Sequence, residues 1–85
     1  MTHFFIHNSF HSGDVILTRA VIQAVIISFP GVKITLECEE VSAYLWQDLD
    51  LAILLYQGCE YKGTEPTPNC PDDAIFVNMW FGVFD

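Results

Sequence analysis

Between Asp14 and Pro30 the chain runs for about 15 residues without a turn signal, and no other stretch constrains the fold as tightly. Val15, Ile16, Val21, Ile22, Val25, Ile26 and Ile27 are all β-branched, a composition that favours a strand. Length decides the other way: a strand of this extent is rare and a helix of this extent is ordinary, so residues 14–29 are predicted helical. The stretch is shorter than the roughly 20 residues of a bilayer span and carries Arg19 and Gln23, which excludes a transmembrane helix. At about 100° per residue, Ile16, Leu17, Ala20, Ala24 and Ile27 share one face. Val15, Ile22, Val25, Ile26 and Phe29 cover much of the opposite side, and Arg19 and Gln23 occupy the gap. A helix apolar on two sides is buried on two sides. One side packs on a sheet, and the other needs a neighbouring helix, a second domain or a partner chain.

Around this helix, strand-like and helix-like segments alternate. Residues 3–7 hold the apolar run Phe4, Phe5, Ile6, which suits a strand covered on both faces, as in a parallel sheet. Ser12 can cap the helix, and Gly13 permits the tight turn before it. Pro30-Gly31 ends it. In 32–38, Val32, Ile34 and Leu36 alternate with Lys33, Thr35 and Glu37, which predicts a strand with one face less buried. Residues 41–49 predict a short helix with Tyr44, Leu45 and Leu49 inward. Residues 51–56 and 74–80 predict two more strands. Gly58, Gly63, Pro66, Pro68 and Pro71 mark 57–73 as a loop. The alternation predicts βαβ units with right-handed crossovers: a single α/β domain over 1–85, with a Rossmann-like open parallel sheet of about four strands and flanking helices.

Composition adds a tension. The chain has 85 residues, 52% hydrophobic and only 16% charged. A body this small has proportionally the most surface to cover with polar groups, so either it self-associates or another domain covers one face. The apolar run just before Phe84-Asp85 points to a piece of a longer protein. The net charge is -8, with Arg19, Lys33 and Lys62 the only fixed cations. That excludes the basic stripe a nucleic-acid partner requires and disfavours an anionic membrane surface. Cys38, Cys59 and Cys70 form no Cys-x-x-Cys, zinc spacing or disulfide framework, which fits reduced thiols in a cytoplasmic protein. The N-terminus lacks the cationic region that opens a signal peptide.

Chemistry concentrates in Ser9-Phe10-His11-Ser12-Gly13-Asp14, between the first strand and the long helix. Ligands of open α/β sheets bind outside the carboxyl ends of strands, and this loop is at such an end. The helix start offers free N–H groups and a positive dipole end. Asp14 would remain ionised there and could accept a proton from a hydroxyl nucleophile; its plainest role is to stabilise the helix. The loop has neither Gly-x-Gly-x-x-Gly nor a Gly-Lys-Ser/Thr ending, so it is no dinucleotide or phosphate loop. His3, His7 and His11 recur every four residues, but on a strand His3 and His7 lie about 13 Å apart, too far for one ion. His11, beside Asp14, could donate to an anionic or sugar ligand. Glu37, Glu39 and Glu40 end the second strand and read first as a solvated charged turn. Asn78 and Trp80 close the last strand, where an aromatic can stack on a sugar or simply pack.

Ser12-Gly13-Asp14-Val15-Ile16-Leu17-Thr18, an apolar helix and then Phe29-Pro30-Gly31-Val32-Lys33-Ile34 resemble the start of the heptosyltransferase-like glycosyltransferases (family 9). The strong part of the likeness covers residues 2–40. Asp72-Asp73-Ala74-Ile75-Phe76-Val77-Asn78 resembles a later strand of that family, where an Asp is usual in place of Asn78. The resemblance implies a two-domain GT-B plan. Its N-terminal half binds a sugar acceptor, and its C-terminal half, missing here, binds a nucleotide-sugar donor. It further implies inversion at the anomeric carbon with no obligatory metal and Asp14 as the base; Ser12, Gly13, His11 and Asn78 are the residues expected to bind the substrate, and no cofactor is expected. Phe10 and His11 depart from the small or basic residues usual in the family's loop. Without the donor half the chain is expected to be inactive alone. The competing expectation is a non-catalytic interaction or small-ligand-binding module that self-associates through the helix over 15–29.

Overall fold

A computed structural model describes residues 2–8, 12–56, 61, 63 and 65–79; for 12–15 it describes the backbone alone. The strands are β1 (His3–Asn8), β2 (Lys33–Cys38), β3 (Ala52–Leu55) and β4 (Ile75–Asn78). Helix α1 (Ser12–Ser28) joins β1 to β2, and a 3₁₀ helix (Glu40–Trp46) lies between β2 and β3. All three pairings are parallel, in the order β3-β2-β1-β4. This is the open Rossmann-like α/β sheet that the alternating pattern predicts. The chain steps outward from β1 to β3 and then returns to lay β4 on the other side of β1. Strand order therefore reverses between β1 and β4.

The β-branched stretch is helical, as its length requires. It ends where Phe29 N–H donates to Val25 O at 2.9 Å, and Gly31 follows with φ of 81°, a conformation only glycine adopts freely. Lys33 N–H then donates to Thr2 O at 3.1 Å and opens the β1–β2 ladder.

Side chains alternate across the strands, so the register sorts them onto two faces. One face carries Phe4, Ile6, Ile34, Leu36, Cys38 and Val77, with Asn8 at its carboxyl end. α1 and the 3₁₀ helix cover it: Ile22 and Trp46, both fully buried, join Ile6, Leu36 and Cys38 in one cluster. Asn8 Nδ2 donates to Thr18 Oγ1 on α1 at 2.8 Å. The other face carries His3, Phe5, His7, Thr35, Glu37, Phe76 and Asn78. Tyr61, Thr67 and Asn69, from the connection between β3 and β4, reach it.

Two expectations are corrected. Tyr44 does not point inward but is 67% exposed, while Trp46 is fully buried. The reason is the tighter winding: at three residues per turn, Ala43 and Trp46 share the inner side and Tyr44 turns out. Glu37 is no part of a solvated turn. It lies within β2 and is wholly buried.

The outer side of α1 is bare. Ile16 is 72% and Ile27 78% exposed, and Leu17, Ala20 and Ala24 are exposed between them. This is the first of the two faces that the helical spacing separates. No helix among the described residues is long and apolar enough to cross a membrane.

Candidate functional site

The carboxyl ends of β4, β1 and β2 bring Asn78, His7 and Glu37 into one row, each paired with its neighbour across the strands. A carboxylate can be buried only if its oxygens are hydrogen-bonded. Three donors meet this requirement. His7 Nδ1 lies 2.7 Å from Glu37 Oε1, Thr67 Oγ1 donates to the same oxygen at 2.8 Å, and Asn69 Nδ2 donates to Oε2 at 2.9 Å. With Glu37 as a carboxylate, its oxygen accepts and His7 Nδ1 is the donor of the pair. Tyr56 and Tyr61 hold the imidazole edge-on, with ring centroids 4.6 and 5.7 Å away. Asn78 Nδ2 donates to the carbonyls of Tyr61 at 3.0 Å and Gly63 at 2.8 Å. The row thus ties the long β3–β4 connection to the sheet through Glu37 and Asn78.

The start of α1 lies at the neighbouring position. β1 ends at Asn8 and α1 begins at Ser12, which puts the backbone of Ser12, Gly13 and Asp14 in the first turn of α1, off the carboxyl end of β1. In open α/β sheets the crevice for ligands forms at such a carboxyl end, where strand order reverses. His11, Phe10 and Trp80, and the side chains of Ser12 and Asp14, lie outside the described residues. Of the site residues expected from sequence, Asn78 is placed beside His7, and its amide is engaged with loop carbonyls. Glu39 is half-buried and Glu40 exposed, and neither joins the cluster.

His3 and His7 share a face but have separate partners: His3 Nε2 is hydrogen-bonded to Thr35 Oγ1 at 2.8 Å, and His7 binds Glu37. Among the described residues no group of three His, Cys, Asp or Glu side chains could hold a metal ion. Cys38 is buried on the apolar face; burial pushes its thiol above the ordinary range, partly offset by a hydrogen bond from Ser42.

Reading the sequence missed the His7–Glu37–Thr67–Asn69 network. One signal was present: in Lys33-Ile34-Thr35-Leu36-Glu37-Cys38 the period of two places Glu37 with Thr35, on the face opposite Leu36. That His7 stands opposite Glu37 depends on strand register, and that Thr67 and Asn69 arrive there depends on a long connection. No protein-family model, curated protein or solved structure matches the chain.

Proposed function

We propose that this chain is the acceptor-binding segment of an inverting glycosyltransferase of the GT-B plan. It would act on a nucleotide-sugar donor held by a second, donor-binding half. The observation that carries this reading is the start of α1 at Ser12, directly off the carboxyl end of β1 and beside the reversal in strand order. In this reading Asp14 takes the proton of the attacking acceptor hydroxyl. Ser12, Gly13 and His11 contact the acceptor. Asn78 holds the carbonyls of Tyr61 and Gly63 at the rim. The buried Glu37 network keeps that rim rigid, which matters because acceptor and base must hold a near-attack geometry.

The test is a transfer assay in a protein carrying both halves. Asp14→Asn is expected to lower kcat by about 10²–10⁴-fold while acceptor binding persists. Transfer at the wild-type rate would contradict the assignment.

A second reading has its own observation. The bare stripe Ile16, Leu17, Ala20, Ala24 and Ile27 suits a non-catalytic module that associates through α1. An open groove of about 530 Å³, lined by Gln23, Ile26, Ile27, Asp48, Leu49 and Asp50, runs beside it. Ile16→Asp with Ile27→Asp would abolish association under this reading. Under the first it would leave acceptor binding intact.

A further inference from the structure

The two ends of the sheet differ in charge. At the amino end, Lys33 opens β2. Cys38 closes the same strand, about 16 Å away for strand geometry. That is roughly two screening lengths at physiological salt, so Lys33 is not felt at the carboxyl end. Arg19 lies midway along α1. It donates to Leu45 O at 3.0 Å and binds both carboxylate oxygens of Asp48, so its guanidinium is taken up on the outer surface.

The carboxyl end carries the opposite sign. Asp14 stands in the first turn of α1, off β1, and Glu39 and Glu40 follow β2 directly. Glu37 lies within the sheet, its oxygens held by His7, Thr67 and Asn69. Among the described residues no lysine or arginine lies at this end. The remaining fixed cation of the chain, Lys62, stands in the sequence between Glu60 and Glu65.

Hydrogen-bond chemistry limits what such an end can recognise. An ionised phosphate or carboxylate only accepts, and it is held by Arg or Lys donors or by an uncompensated helix N-terminus. The first turn of α1 already contains Asp14, whose charge answers the helix dipole. A sugar hydroxyl both donates and accepts, so it can give its proton to a carboxylate and receive one from an amide N–H. An anion brought near Asp14, Glu39 and Glu40 meets like charges and no described cation.

We infer that the acceptor received at this end is an uncharged sugar, held through its hydroxyls, and that sugars bearing a phosphate or a carboxylate are turned away. The inference rests on the acceptor-binding reading and adds to it the charge class of the acceptor.

The test titrates the whole chain with methyl glycosides of glucose, galactose and mannose, with the phosphate esters of the same hexoses and with their uronic acids. The amide resonances of Ser12, Gly13 and Asn78 report binding. A neutral glycoside is expected to shift them saturably. Its phosphate is expected to bind about ten-fold more weakly at ~10 mM salt, and the gap is expected to narrow at ~500 mM. Glu39→Gln with Glu40→Gln is expected to narrow the same gap by about three-fold and to leave the neutral glycoside unaffected. A phosphate or uronic acid that binds as tightly as the neutral sugar, or whose binding is lost in Lys62→Gln, would overturn the inference and leave the acceptor reading standing. So would a gap that salt and the two glutamines leave unchanged. Glycosides, phosphates and uronic acids that all leave these resonances still would overturn the acceptor reading, and the inference with it.

Discussion

Leu36 and Glu37 are neighbours in β2, fully buried, and on opposite faces of one sheet. Beneath Leu36 the sheet meets α1 and the 3₁₀ helix through Ile22, Trp46 and Cys38, a mainly apolar interface to which Asn8 and Thr18 add a side-chain hydrogen bond. Above Glu37 it meets a helix-free connection through His7, Thr67 and Asn69. The two solutions have different consequences. Apolar contact is non-directional, so the helical face tolerates small shifts. Hydrogen bonds to a buried carboxylate are directional and costly to leave unmade, so the loop face holds one arrangement or none. The candidate site lies at the end of the sheet where the directional face fixes the rim.

Several substitutions would break or sharpen that contrast. The largest effect is expected at Glu37. Glu37→Ala leaves the buried His7 and Thr67 without their acceptor and takes a bond from the exposed Asn69, and should cost about 1–3 kcal/mol for each buried donor, a large share of a small domain's stability. Urea unfolding measures it, and amide exchange should show 65–69 opening before the sheet does. A loss under about 1 kcal/mol would mean that the network is dispensable. Leu36→Ala comes next, at about 2–5 kcal/mol, and should lower global stability without loosening that connection first. If both variants opened the same segment, the two faces would not be separate. Thr18→Val removes the acceptor for Asn8 on the mainly apolar face and should cost about 1–3 kcal/mol by the same unfolding assay.

Smaller effects distinguish the thiols and the surface. Burial raises the pKa of Cys38, and burial with nearby carboxylates raises that of Cys70, so access separates the two: buried Cys38 should react with a thiol reagent more slowly at neutral pH than half-buried Cys70. Peptide mapping after labelling tests this. The contribution of a thiol kept protonated is complete below its ordinary range and is lost as pH rises through the raised value. The smallest effect is expected at Asp48, on the outer surface. The Arg19 guanidinium, bound to both its oxygens, holds its carboxyl below the ordinary range. Its contribution is present at neutral pH and is lost as pH falls through the lowered value. Asp48→Asn should flatten only the acid end of the stability profile, and added salt should shrink even that.

What was legible in the sequence follows from periodicity. The spacing of Ile16, Leu17, Ala20, Ala24 and Ile27 separated the bare side of α1 from the packed side. The run Phe4, Phe5, Ile6 and the alternation of 32–38 placed two central strands. Tyr44 was misplaced because a 3₁₀ winding leaves no mark that distinguishes it from a short α-helix. Glu37 was misplaced because a carboxylate near a strand end reads as solvated unless its donors are known. They come from residues 30 or more positions away in sequence.

The central claim is that the carboxyl end of β1, at Ser12 to Asp14, receives a sugar acceptor. The most direct measurement is an amide-resolved magnetic resonance titration of this chain with a panel of sugar acceptors and, separately, nucleotide sugars. The account predicts that an acceptor shifts the resonances of Ser12, Gly13, Asp14 and Asn78 saturably. It also predicts that Asp14→Asn leaves those shifts in place and that nucleotide sugars move nothing. Acceptors that leave these residues still, or a nucleotide sugar that shifts them, would contradict it.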